Sequence, residues 1–266
     1  MLKYVVSVPF LLPALALAQN SSSTGDLLAK VDNDRWSIGV AAAARQSPYA
    51  GEGTRVRPLP LITFEGERIF WRGVSGGVHL VKGESFTLDA VLAGRFDGVD
   101  IKDLGRRALA RNGVDRDLLE DRDDALDAGL AASWSSRAGE FKLSALADVT
   151  DTSGGYEIAA DYAYALTWGR TTIVPGVGVR WMSDGLVNYY HGTLEKEVAR
   201  GVARYQPGSA VVPQISVGFS HPLGEKWRVM GGVDYRFQPD EITESPLSEP
   251  DTDGSAGLRI GITRSF

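Results

Sequence analysis

Between Ser255 and Phe266 apolar and polar residues alternate. Ala256, Leu258, Ile260, Ile262 and Phe266 share one parity; Ser255, Gly257, Arg259, Gly261, Thr263 and Ser265 share the other. A period of two marks a strand with one apolar and one polar face. The same alternation recurs near Arg35–Arg45, Val56–Phe64, Arg68–Leu80, Ser85–Phe96, Ala125–Trp134, Phe141–Val149, Tyr156–Leu166, Thr171–Met182, Val211–Ser220 and Trp227–Phe237. Most of these segments run ~9–13 residues, enough to cross a bilayer at a tilt, whereas soluble strands are more often ~5–6. Pro58 and Pro60 predict that the second segment begins extended but unpaired. Gly73, Gly76 and Gly77 loosen the third.

Three long polar segments interrupt the rhythm. Asp97–Asp124 is rich in charge of both signs, with helical Leu and Ala spacing near Leu104–Leu119; the others are Ser183–Gly208 and Gln238–Gly254. Short and long connections alternate through the second half, as in an all-β, antiparallel up-and-down barrel that spans an outer membrane. With the C-terminus in the periplasm, all three long segments lie outside. The pattern yields eleven strands, and such barrels usually have an even number. Twelve is the expected count and ten the alternative. The hidden strand is expected within residues 35–82, or failing that at Val187–His191.

From Phe86 onward one face of the strands is Leu, Ile, Val, Ala and aromatic. The other carries charges, among them Asp89, Arg95, Asp127, Lys142, Asp161, Arg180, Asp234, Arg236 and Arg259. A soluble β-sandwich would also turn charges to one side, but it would not usually bring aromatic residues to the ends of its apolar faces. Trp36, Trp134, Tyr156, Trp181, Trp227 and Phe237 sit there, as an interfacial girdle does. Charges of both signs in a small barrel pair across it and fill it, which predicts a narrow, partly plugged lumen. Arg264 breaks the pattern, having lipid-facing parity one step inside Phe266. Its long stem can snorkel to headgroups.

Composition adds the compartment. Lys3 precedes an apolar run, Tyr4 to Leu17, that ends in Ala16-Leu17-Ala18. A basic start, a short apolar core and an A-x-A site make a secretory signal peptide, here 1–18, with cleavage after Ala18. Residues 19–34 read as a flexible leader and 35–266 as the barrel domain. The 266 residues include no cysteine, which excludes a disulfide framework, a thiol nucleophile and a Cys-ligated metal. The formal charge of −6, without a basic cluster, gives no reason to expect nucleic-acid binding.

Candidate chemistry is sparse. The three histidines, His79, His191 and His221, have no second histidine at metal spacing. A Ser-His hydrolase needs the two side chains together. Ser220 and His221 are adjacent, but strand neighbours face opposite ways. The run Glu120-Asp-Arg-Asp-Asp124 lacks the spacing and glycine of a Ca²⁺ loop and reads as a solvated segment. No catalytic, cofactor or metal residue is assigned.

Several stretches, in this order, resemble the MipA/OmpV family of outer-membrane proteins, the MltA-interacting proteins. They are Val56-Arg-Pro-Leu-Pro-Leu-Ile62 after a Ser-Pro-Tyr loop, and Glu120-Asp-Arg-Asp-Asp-Ala125. Trp181-Met-Ser-Asp184 with Tyr189-Tyr190-His-Gly192 follows, then Asp240-Glu-Ile-Thr-Glu-Ser-Pro-Leu247. The resemblance runs from about Trp36 to Phe266; Arg264 departs from it, the family more often having an aromatic there. It implies a non-enzymatic scaffold linking a murein hydrolase, a lytic transglycosylase, to a murein synthase, a bifunctional penicillin-binding protein. The alternatives are an adhesion or small-ligand-binding barrel acting through the outer loops, and a lipid-modifying enzyme. Other expected partners are outer-membrane lipid, lipopolysaccharide and the outer-membrane assembly machinery, for which Phe266 would be the signal.

Overall fold

The computed structural model describes residues 35–266; the expected signal peptide, with its cleavage position Ala18, and the expected leader lie outside these. Thirteen strands form one antiparallel sheet. They are β1 (Trp36–Gln46), β2 (Thr54–Glu65), β3 (Ile69–Arg72), β4 (Ser75–Lys82), β5 (Phe86–Arg95), β6 (Ala125–Ser136) and β7 (Gly139–Asp148), followed by β8 (Tyr156–Ala163), β9 (Leu166–Trp168), β10 (Thr171–Met182), β11 (Ala210–Leu223), β12 (Trp227–Phe237) and β13 (Gly254–Ser265). Apart from β8 and β9, which both pair with β10, each pairs with its sequence neighbours. The seam between β13 and β1, from Ser37↔Ser265 to Arg45↔Gly257, closes the cylinder. β9 continues the line of β8 along the same edge of β10, so the closed wall has twelve staves.

The twelfth strand comes from residues 35–82. Arg68–Leu80 is not one strand but the hairpin β3–β4, turned at Gly73 with φ +64°. Glycine adopts that conformation at the least cost. Val187–His191 is helical instead.

The prolines of β2 are also accounted for. β2 pairs with β1 along its whole length, Pro58 opposite Ala42 and Pro60 opposite Val40, so the segment is not unpaired at its start. The carbonyl of Ile62 accepts from Gly73 N–H at 3.0 Å, so residues of that parity turn their backbone polar groups away from β1. Pro58 and Pro60 share the parity, and β3 reaches β2 only at Thr63–Glu65. The two donors they lack are therefore those that would face an edge with no neighbouring strand. In lipid an unpaired N–H costs several kcal/mol, and proline removes the donor.

The outer surface is apolar, with exposed Val40, Ile62, Leu92, Leu130, Val177, Ile215 and Leu258. Aromatics band both ends. At the end holding the C-terminus, Trp36 lies 4.6 Å from Phe64, and Trp134 sits between Phe86 and Phe141 at 5.2 and 5.7 Å. At the other end Tyr156 meets Trp181 at 5.4 Å, and Tyr235 meets Phe237 at 5.0 Å. Arg264 belongs to the first band. Its guanidinium lies over the rings of Trp227 and Phe266, 5.8 and 5.0 Å from their centroids. Cation–π contact with two ring faces at the interface explains a charge on the lipid-facing parity.

Candidate functional site: a loop plug over a charged lumen

The connections at the C-terminal rim are turns of two or three residues. Those at the far rim are longer and converge. Residues 96–124 carry α1 (Arg106–Arg111); residues 183–209 carry α2 (Asp184–His191) and α3 (Glu195–Ala199); residues 238–253 carry α4 (Asp240–Thr243). With residues 47–53 they form a plug that has its own apolar core. Tyr49 and Ala50 pack with Leu104, Leu109, Val114, Leu119, Val202 and Leu247, while Leu186, Val187 and Tyr190 pack with Ile242. Ala50 N–H donates to Leu247 O and Gly105 N–H to Ala50 O, both at 2.9 Å. Gly51, at φ +70°, has no room for a side chain, since a Cβ would stand 2.7 Å from the Gly105 Cα.

Arg122 holds the plug together. Its side chain is fully buried against that of Glu197. Nη1 and Nη2 donate to the two Glu197 carboxylate oxygens at 2.8 and 3.0 Å. The remaining three N–H groups go to the carbonyls of Tyr189 (2.7 Å), Glu120 (2.6 Å) and Gly192 (3.2 Å). All five donors are used, in the fork geometry that suits guanidinium to carboxylate. Glu197 also accepts from the backbone N–H groups of Leu194 and Glu120 at 2.7 and 2.8 Å. The run Glu120–Asp124 is thus not merely solvated. Its Arg122 is a buried tie, and Asp121 and Asp124 accept from the backbone N–H groups of Ile101 and Gly98.

His191 closes the inner side of the plug. It stacks on Tyr49 at 5.7 Å, while Ser245 donates to its carbonyl at 2.6 Å. Burial pushes its imidazole down to about 4; Asp97 draws it up and Arg122 pushes it further down. The folded plug therefore holds a neutral ring, whereas a solvated histidine titrates near ~6.5. Proton uptake by the open form begins as pH falls through ~6.5, and the closed form follows only near 4. The plug should lose about 2 kcal/mol between neutral pH and about pH 5. Hydrogen exchange in residues 183–209, corrected for intrinsic rates, should accelerate over that window in the natural chain and not in His191→Gln. Equal behaviour of the two would refute the assignment.

The lumen below is filled by ion pairs. Arg95 reaches Asp127 at 2.6 Å, Asp97 at 3.2 Å and Glu157 at 3.5 Å. Arg180 meets Glu157 at 2.7 Å and Arg45 meets Asp234 at 2.6 Å. Gln214 donates to Asp161 at 2.8 Å. Apart from Asp97, whose side chain is 38% exposed, these residues are buried or nearly so, giving the narrow, plugged interior expected from paired charge.

The histidines form no hydrolase site. Both ring nitrogens of His79 are taken by carboxylates, Asp89 at 2.6 Å and Glu65 at 3.0 Å, and neither is left to deprotonate a nucleophile. Ser220 and His221 part as strand neighbours do. Ser220 is buried in the lumen and accepts from Arg228 at 2.9 Å, whereas His221 bonds Thr171 at 2.9 Å. Among the described residues no group of three or more His, Asp or Glu side chains is placed to hold a metal ion. Sequence reasoning missed Arg122, Glu197 and Tyr49. The signal available was the apolar spacing of Leu104, Leu109, Val114 and Leu119 inside a charged segment, which a solvated loop would not need.

Solved structures similar to this chain include two named as a porin and a channel. The NanC porin covers 86% of this chain and 100% of its own at a TM-score of 0.47 and 9% identity. The CymD monoaromatic hydrocarbon channel covers 93% and 94% at 0.38 and 12%. Sequence relatives are nearer. The Escherichia coli K12 MltA-interacting protein is 29% identical over 87% of this chain and 90% of its own. The putative outer membrane protein YiaT of the same strain is 31% identical over 83% and 87%. These relatives carry the names of interacting or outer-membrane proteins rather than of enzymes. The family model described as MltA-interacting protein MipA matches residues 38–266, the whole wall and plug from β1 to the terminal Phe266. This twelve-stave cylinder, plugged by its long loops, is a bacterial outer-membrane β-barrel and belongs to the MipA family.

Proposed function

We propose that the chain is an outer-membrane scaffold for peptidoglycan remodelling, joining a lytic transglycosylase to a bifunctional penicillin-binding protein. Family membership across residues 38–266, with a relative named as an MltA-interacting protein, carries the reading. The geometry favours the C-terminal, periplasmic rim as the docking face. The outer loops spend their apolar side chains on one another, whereas the rim turns leave Glu67, Arg68, Glu84, Arg137, Arg170, Glu225 and Lys226 exposed. A rim of scattered charges around short turns offers a polar platform with little depth. Binding there would be electrostatically steered and salt-sensitive.

The chain has no cysteine, so a single one can report on one position. Arg137→Cys, Arg170→Cys and Glu225→Cys, each treated with a thiol-reactive photo-cross-linker in intact cells, should capture both murein enzymes, identified by mass spectrometry. Asp103→Cys, in the plug, should capture neither. Absence of both enzymes from all three rim adducts would sink the scaffold reading.

A further inference from the structure

Beneath the plug, where it meets the ends of β1, β8, β10 and β12, lies a cavity of ≈ 100 Å³. Four guanidinium groups line it, those of Arg45, Arg55, Arg180 and Arg236, against the carboxylates of Asp97 and Glu157. Three of the four have a carboxylate of their own: Arg45 has Asp234, Arg55 has Glu52 and Arg180 has Glu157. Arg236 makes no ion pair or hydrogen bond to any described residue through its side chain. The carboxylates near it are engaged elsewhere, Asp97 by Arg95 at 3.2 Å and Asp234 by Arg45 at 2.6 Å. Its other charged neighbours, Arg45 and Arg180, have its own sign.

The unused hydrogen-bonding capacity gathers at the same place. Arg45 Nη1, Arg180 Nε and Arg236 Nε are buried nitrogens without an acceptor among the described residues, and Arg180 is only 7% exposed. Of the other cavity-lining atoms, His191 Nδ1 and the acceptor oxygen Gln238 Oε1 also lack partners, so the unmet arginine donors outnumber the one unmet acceptor oxygen. Arginine offers donors only, so such a surplus is satisfied by a group rich in acceptors. Guanidinium groups bind carboxylate and phosphate oxygens through short, charge-assisted hydrogen bonds. A guanidinium set beside two others of its own sign, with the nearby carboxylates already paired to Arg45 and Arg95, is costly unless something compensates it. The ceiling of neutral His191 and Tyr49 adds no competing negative charge.

We propose that this cavity is a binding site for a small oxyanion, the carboxylate or phosphate end of a solute, held by Arg236 with Arg45 and Arg180. The space admits a group of a few heavy atoms and not a whole sugar. Any larger solute would present only its charged end. The site is independent of the scaffold role, because it lies at the opposite end of the barrel from the periplasmic rim.

The test uses the full mature chain, folded in detergent, with inorganic phosphate and acetate as separate probes and sodium chloride at matched ionic strength as the control. At least one probe should raise the unfolding temperature saturably, and chloride should not reproduce the rise. For phosphate, the ³¹P line should broaden in parallel. Arg236→Gln should weaken binding about tenfold or more, as loss of a charge-assisted partner does. Arg228→Gln removes the same charge from the other end of the same strand and should bind as the natural chain does. If Arg236→Gln does not fold, Arg236→Lys, which keeps the charge and loses the fork, should show the weakening. Saturation by phosphate alone or by acetate alone assigns the oxyanion. No saturable binding of either, or equal binding by the natural chain and the Arg236 variant, overturns the proposal.

Discussion

Replacing Arg122 by methionine is expected to open the plug while leaving the barrel wall closed. The side chain contributes five hydrogen bonds within and between two loops, 96–124 and 183–209, and its loss leaves Glu197 as a buried carboxylate facing a thioether. Breaking one side of a buried pair costs about 3–5 kcal/mol, chiefly because the remaining charge is uncompensated. That is a large share of the about 5–15 kcal/mol by which a whole folded domain is typically stable. The wall does not depend on it, since every stave is hydrogen-bonded to two others whether or not the loops cover the end. Trypsin should therefore cut after Arg200 and Arg204 in Arg122→Met at a rate at which the natural chain is resistant, while gel mobility without boiling stays that of a folded barrel. Arg122→Met with Glu197→Leu should recover much of the protection, because the pair then leaves no orphan charge. A single variant as resistant as the natural chain would show that the apolar core alone holds the loops.

The contrast between wall and plug also sets how much was legible in the sequence. The wall was legible because its physics is local. A stave must alternate between lipid and lumen, and that alternation is visible in one segment at a time. It failed at β3, where four residues are too few to show a period and the turn rests on Gly73 instead of an Asn-Gly or Asp-Gly pair. The fate of Arg264 was hidden for a related reason. Its parity marks it as facing lipid, but Trp227, one of its two rings, comes from another strand.

The plug and the cavity below it were legible only in outline. Their determinants are pairs far apart in the chain: Arg122 with Glu197, Tyr49 with Tyr190, Asn112 with Pro246 and Ser248. Nothing near Arg122 in sequence distinguishes it from its neighbours, which point to backbone donors or solvent. Likewise Arg236 reads as one more luminal charge. That it alone among the cavity's arginines lacks a carboxylate follows from where Arg45 and Arg95 place Asp234 and Asp97. Alternation assigns a residue to a face, while pairing on that face is a property of the closed cylinder.

Closure itself rests on small residues at the seam, and enlarging one is the second change with a large expected effect. Gly39 lies opposite Thr263, and a Cβ at its position would stand 2.1 Å from the Ile262 carbonyl oxygen and 2.7 Å from the Thr263 Cα. Both obstacles are backbone, so no rotamer change relieves them. On the other side of the seam a Cβ on Gly261 would meet Ala41 Cβ and Leu61 Cδ1 at 2.8 Å, leaving little room for β1 to retreat. Gly39→Val must therefore spread the β1–β13 hydrogen bonds that join the two ends of the sheet. Overpacking costs about 1–3 kcal/mol in a core that can adjust, and more where the backbone itself is displaced. Here an unpaired edge would face lipid, where each orphaned polar group adds several kcal/mol. Gly39→Val should consequently accumulate as an unclosed form that migrates alike with and without boiling, with little reaching the outer membrane; Gly39→Ala should lie between. Ala42→Val adds the same branched bulk on the lipid-facing side of the same strand, where the side chain is exposed, and should assemble normally. If Gly39→Val also assembled normally, the close approach of β1 and β13 would not be what limits closure.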